Sequence, residues 1–156
     1  MPTASEALPL AGPLYCDASA LAKVYLPEPG SVELNRLLAG RTDALLSDLA
    51  ITEVVSALGR RVRDGSLAAA PARRIHRKIL AHLAEGLYRK VELLTATHRE
   101  AERILLGARS APIRSTDALH LALALGAGAG TLLTYDRTAA RAALEQSLAV
   151  WPEPPA

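Results

Sequence analysis

Phenylalanine is absent from the 156 residues, aromatic side chains of all kinds make up 3%, and there is one cysteine, Cys16. A lone cysteine excludes an internal disulfide and a four-cysteine zinc site, and it fits a reducing compartment. With only Tyr15, Tyr25, Tyr88, Tyr135 and Trp151 as aromatics, no platform for stacking nucleic-acid bases is in view. Long apolar runs are missing too. The longest uncharged stretch, between Asp117 and Asp136, is broken by Gly126, Gly128 and Gly130, short of the ~18 residues a membrane-spanning helix needs. The opening MPTASEALPLAGP has no basic start and contains Glu6, Pro9 and Pro13, so it fails as a signal peptide and reads as a ragged leader. The expected address is the cytoplasm, with no membrane contact. Lysine is scarce: Lys23, Lys78 and Lys90 stand beside 15 arginines, and the net charge of +2 is too small to name a partner. Arginine suits bidentate phosphate or carboxylate contacts, although GC-rich coding would enrich Arg and Ala equally.

What the chain does have is aliphatic: 50% of residues are hydrophobic, much of that Ala and Leu, a composition that favours helices. Leu14 to Cys16 is a short apolar run closed by Asp17. ASALAKVYL after it has helical composition and is stopped by Pro27 and Pro29. Ser31 is placed to cap a second helix ended by Gly40, and DALLS is a strand. A long amphipathic helix is expected from near Asp48 to Gly65, with Asp48 as its cap, and a further one over APARRIHRKILAHLAEG. YRKVELL reads as a strand, and THREAERILLGAR as a helix capped by Thr95 or Thr97. Beyond Pro112 lie the STDALHLALALGAG helix, the strand TLLTYD ending at Asp136, the helix RTAARAALEQS and a final edge strand around LAVWP. Strands alternating with helices predict an α/β fold, a three-layer α/β/α sandwich on a mostly parallel sheet. The chain is expected to form one domain over 1–156, with 1–12 and 151–156 as irregular tails.

In such a sheet the loops at the carboxyl ends of the strands make the ligand crevice. Asp17 and Asp136 fall there, while Glu53 and Asp117 lie on helices that follow loops. Each aspartate also has an ordinary reading, as a helix cap or as a first-turn acid complementing the helix dipole. Glu53 sits mid-helix with Ala50 and Ala57 three back and four ahead, leaving its carboxylate unobstructed, although glutamate on a helix also belongs on an exposed surface. Clustered carboxylates repel and raise one another's pKa unless a cation intervenes. A site of carboxylates without paired His or Cys selects hard Mg²⁺ or Mn²⁺, whose natural chemistry is phosphodiester hydrolysis. His120, three residues after Asp117, reads as a buried structural histidine. The basic run Arg60, Arg61, Arg63, Arg73, Arg74, Arg77 and Lys78 reads first as a solvated face, and second as a surface for RNA or a protein partner.

The stretches YCDASALAKVYLPEPGS, TEVVSALGR and RSTDALHLALALGAGAGTLLTYDRTAA, in that order from about Leu14 to Val150, resemble the PIN domain, and in particular the VapC-like ribonuclease toxins of bacterial type II toxin-antitoxin systems. The resemblance implies an α/β/α sandwich and a Mg²⁺- or Mn²⁺-dependent endoribonuclease. It assigns Asp17, Glu53, Asp117 and Asp136 to the acidic metal and catalytic positions. Ser19 and Thr134 fall at small hydroxyl positions beside the first and last of these acids. Arg114 is a candidate for contact with substrate or for balancing the acidic pocket. The resemblance further implies an RNA substrate, a homodimer, and a cognate antitoxin able to place a basic side chain among the acids.

Two other classes stay open on the residues. An aspartate-based phosphohydrolase or phosphoacceptor would use Asp17, but such hydrolases want a second acid two residues on, where this chain has Ser19. A non-catalytic PIN-like binding module would use the acidic pocket only to receive a basic partner segment.

Overall fold

The computed structural model describes residues 9–109 and 112–155. Twelve elements follow one another: β1 (Leu14–Cys16), α1 (Ala18–Tyr25), α2 (Ser31–Leu38), β2 (Ala44–Ser47), α3 (Asp48–Arg63), α4 (Ala69–Ala84), β3 (Arg89–Val91), α5 (Thr95–Gly107), α6 (Ser115–Gly126), β4 (Thr131–Leu133), α7 (Arg137–Glu145) and β5 (Ala149–Trp151). The strands form one sheet in the order β3-β2-β1-β4-β5, with every pairing parallel.

Short strands buried on both faces read as continuous apolar runs, and their side chains divide between the faces with a period of two. Leu14, Cys16, Leu46 and Leu133 pack with α1 to α4 on one face, against Leu21, Leu34, Val54, Leu58 and Ile79. Tyr15, Leu45 and Leu132 pack on the other face with α5 to α7, against Ala101, Ile104, Leu121 and Ala143. The result is a three-layer α/β/α sandwich. Without phenylalanine the core is closed by leucine and alanine, and alanines make up much of the buried faces of α6 and α7.

Sheet order explains where a site belongs. From β1 the chain builds outward through β2 to β3, then returns to the other side of β1 for β4 and β5. The direction reverses between β1 and β4, and a crevice opens at the carboxyl ends of the strands at such a reversal. Register sets the two adjacent strands level there, with Cys16 beside Leu133.

Several local expectations are corrected. Ser31 does not cap α2: its Oγ accepts from the Glu28 N–H and donates to the Leu26 carbonyl, tying down the preceding turn, and the N-cap is Gly30. The cap of α3 is Ser47, whose Oγ accepts from the Ala50 N–H, while Asp48 pairs with Lys90. The β3 strand is only three residues, and β4 stops at Leu133, three residues short of Asp136. Trp151 is the last residue of β5, not the first of a tail. At the other end, Leu10 packs on the core and the Ala11 carbonyl accepts from the Thr131 hydroxyl. Of the expected leader, residues 1–8 lie outside the described residues, as does 156. Among the described residues no helix is long and apolar enough to cross a membrane.

Candidate active site

Asp17 follows the last residue of β1 and starts α1. Its Oδ1 accepts the Ala20 N–H at 2.9 Å, as an N-cap does, and also the Ser19 hydroxyl at 2.7 Å. The residue is 5% exposed, and burial pushes its carboxyl above the ordinary aspartate range. The Thr134 hydroxyl, the Ala20 N–H and the Ser19 hydroxyl, with a smaller contribution from nearby His120, oppose that rise. A buried carboxylate with three donors and no paired cation among the described residues is an unusual cap.

Asp136 enters from the neighbouring strand as the N-cap of α7, its Oδ1 accepting from the Thr138 and Ala139 N–H groups at 2.8 and 2.9 Å. Ser19 and Thr134 join the two acids. The Ser19 Oγ accepts from the Tyr135 N–H, the Thr134 Oγ1 accepts from the Asp136 N–H, and the two hydroxyls lie 3.4 Å apart. The two hydroxyl positions therefore link the loops after β1 and β4, directly beside Asp17.

Asp117 stands in the first turn of α6, where its Oδ2 accepts the Arg114 N–H at 2.9 Å. Arg114 is the N-cap residue, and Asp117, at the third helical position, reaches back to its N–H. The Arg114 side chain is 79% exposed, with Nε 3.8 Å from the same oxygen. Glu53, on the second turn of α3, is half-buried, and its Oε2 lies 2.5 Å from His120 Nε2.

All four acids line one pocket of about 410 Å³, together with Ser19, Ala57, Arg60, Arg114 and His120. Thr134 does not line it, although its hydroxyl lies behind Asp17 and Asp136. Glu53, Asp117 and Asp136 are each fixed through one carboxylate oxygen. Their other oxygens, Oε1, Oδ1 and Oδ2, receive no hydrogen bond from the described residues. Among the described residues, no three His, Cys, Asp or Glu side chains converge tightly enough to form a ready metal shell. The donors nonetheless suit a hard cation: oxygen only, several free, in a pocket whose most buried member lacks a counter-charge.

Sequence reasoning passed over two features. Arg60 sits in the basic run with no separate role there, yet of that run it is the member at the pocket, because it lies two helical turns after Glu53 on α3 and shares its face. Arg61 points elsewhere and pairs with Glu28. His120 is buried as expected, at 6% exposure, with both ring nitrogens hydrogen-bonded, one of them to Glu53. The spacing from Asp117 to His120 was the available signal, as residues three apart share a helix face.

The fold and this pocket define a family. The chain belongs to the PIN-domain family: the sequence model of the PIN domain matches residues 14–145. Over 139 residues it is 34% identical to Ribonuclease VapC46 of Mycobacterium tuberculosis (strain ATCC 25618 / H37Rv), covering 88% of this chain and 95% of that protein. Among solved structures, Mycobacterium tuberculosis VapC20, described as a sarcin-ricin loop cleaving toxin, superposes with a TM-score of 0.67 at 16% identity, covering 83% of this chain and 95% of that one. FitAcB from Neisseria gonorrhoeae gives 0.64 at 17% identity over 88% and 96%. At those identities the two structures speak for the fold alone.

Proposed function

We propose that this protein is an endoribonuclease, the toxin of a toxin-antitoxin pair, using Mg²⁺ or Mn²⁺ held by Asp17, Glu53, Asp117 and Asp136. The observation that carries the reading is the gathering of these four acids, from residues 17 to 136, around one pocket in a chain 34% identical to a ribonuclease. In this reading residues 14–151 act as one PIN domain.

Held by Asp17, Glu53, Asp117 and Asp136, a divalent ion would supply Lewis acidity for phosphodiester hydrolysis. The chain's own residues do the holding. Asp17 is the fixed point, locked by Ser19 and the start of α1. Asp136 and Asp117 are each held by backbone N–H groups through one oxygen, which leaves the other for a cation. Ser19 and Thr134 keep the β1 and β4 loops in register, so the spacing of Asp17 and Asp136 is set before anything binds. Arg114 and Arg60, both exposed at the pocket, are placed for the phosphates flanking the cut. Recognition then rests on phosphates and RNA shape, and weakens with salt.

An antitoxin would inhibit by putting a basic side chain where the cation sits. The family relationship also supports a homodimer and a cytoplasmic site of action. The phosphoacceptor alternative gains nothing from the pocket, since position 19 offers Asp17 a hydroxyl donor and not an acid.

The test is cleavage-site mapping on total RNA with Mn²⁺, Mg²⁺ or EDTA, comparing the wild type with Asp17→Asn. Cuts that need the metal and vanish in the variant are expected. Cuts that survive Asp17→Asn, or that persist in EDTA, would overturn the reading.

A further inference from the structure

The carboxylate of Glu53 is the end of a buried chain of hydrogen bonds. Ser47 Oγ lies 2.9 Å from the Tyr15 hydroxyl, that hydroxyl 2.8 Å from His120 Nδ1, and His120 Nε2 2.5 Å from Glu53 Oε2. Tyr15, Ser47 and His120 are 0%, 1% and 6% exposed, so water does not compete for these bonds. We infer that His120, oriented from behind by Tyr15 and Ser47, is a positioning residue that fixes the rotamer of Glu53 and so sets the cation affinity of the acidic pocket.

Three observations support this. First, the donors run in one direction. Ser47 Oγ already accepts the Ala50 N–H, which leaves its proton for Tyr15. The Tyr15 hydroxyl accepts from Ser47 and keeps its own proton for Nδ1, 2.8 Å away. The ring proton then belongs on Nε2, where it is given to Glu53. Second, the chain joins elements that carry three of the four acids. Tyr15 is on β1, two residues before Asp17; Ser47 caps α3, which bears Glu53; His120 is on α6, one turn from Asp117. Third, it bridges the two helical layers at the carboxyl edge of the sheet, since α3 packs on one face and α6 on the other. Without it Glu53 is a half-buried glutamate on an amphipathic helix, free to turn to solvent. With it, one oxygen is held and the other faces no competing donor among the described residues. An oriented partner behind a ligating carboxylate typically changes metal affinity or activity 10- to 100-fold.

This inference rests on the ribonuclease reading, and the test separates the two. Mn²⁺ binding to the full chain is measured by titration calorimetry without RNA, for wild type, Asp17→Asn, His120→Leu, His120→Gln and Tyr15→Phe, with circular dichroism as the check on folding. His120→Leu should bind Mn²⁺ about 10- to 100-fold more weakly. His120→Gln, whose amide can still donate to Glu53, should return to within about fivefold of wild type. Tyr15→Phe removes one hydroxyl from a neutral hydrogen bond and should lose about fivefold. A folded His120→Leu with wild-type affinity, or a His120→Gln no better than His120→Leu, overturns the positioning role while leaving the ribonuclease reading intact. Should His120→Leu not fold, Tyr15→Phe decides, and unchanged affinity there overturns the role. A wild type that binds no Mn²⁺, or binds it equally well as Asp17→Asn, overturns the metal site and this inference with it.

Discussion

Asp17→Asn should silence the protein and, in the absence of metal, make it more stable. Burial raises the Asp17 carboxyl above its ordinary range, so the charged form is less favourable in the folded chain than in the unfolded one. Asparagine has the same shape, keeps an oxygen for the Ala20 N–H and the Ser19 hydroxyl, and is as good an N-cap as aspartate. Two terms oppose the gain: the carboxylate's attraction to the start of α1, worth about 0.3–1 kcal/mol, and the loss of one acceptor oxygen where Thr134, Ala20 and Ser19 all donate. Burial is the largest influence on this carboxyl, so the variant should melt above the wild type. Because the folded pKa lies above the unfolded one, the contribution of this carboxyl is complete below the unfolded value and is lost as pH rises through the folded value. The advantage of the Asn variant should accordingly be smallest near pH 4 and largest at pH 8. Calorimetric melting in EDTA across that range measures it. Added Mn²⁺ should raise Tm of the wild type by mass action and barely move the variant. Loss of one unit charge at about 4 Å, at an effective dielectric of about 20, is about 4 kcal/mol, so RNA cleavage should fall at least ~10³-fold. A variant that melts below wild type at pH 8 in EDTA, or whose advantage shrinks with rising pH, would refute the account of Asp17 as a strained, unpaired charge.

Further outcomes follow from the same geometry. Ser19→Ala removes a donor to Asp17 and the acceptor of the Tyr135 N–H; it should lower stability by about 1–3 kcal/mol, read by urea unfolding, and reduce Mn²⁺ affinity in calorimetry. Gly30 has φ +90°, and a Cβ there would meet the Tyr135 ring at 3.0 Å, so Gly30→Ala should be destabilising by about 1–3 kcal/mol, seen as a lower Tm, and should disturb the loop that carries Asp136. Arg114→Ala should weaken RNA binding across sequences and lower the slope of log K against log salt by about 1, with Mn²⁺ affinity unchanged; an unaltered slope would remove Arg114 from the RNA interface.

The layers of the fold were readable because the strands obey a strict rule. In LYC and ALLS alternate residues go to opposite faces, and helices rich in Ala and Leu fill the gaps between them. The site was readable as a set of acids, since Asp17 and Asp136 close apolar runs and Asp117 opens a helix. What sequence could not rank was competition between neighbours able to make the same bond. Ser47 and Asp48 both cap well, and Ser47 is chosen because it is the last residue of β2 and already extended. At α6 the N-cap falls on Arg114, ahead of Ser115 and Thr116, and Asp117 accepts its N–H. The role of His120 depended on Tyr15, 105 residues away, and no local pattern carries a contact of that separation.

The position of β4 beside β1 has a consequence for how the protein is made. A ribosome that has completed the first hundred residues has produced Asp17 and Glu53, but neither Asp117 nor Asp136, and β1 still lacks the neighbour that sets the register of their loops. The pocket closes only when the last third of the chain has emerged and folded back along the middle of the sheet, a late, long-range step. In the proposed reading of these four acids, the nascent chain cannot cut the message that encodes it until synthesis is nearly done.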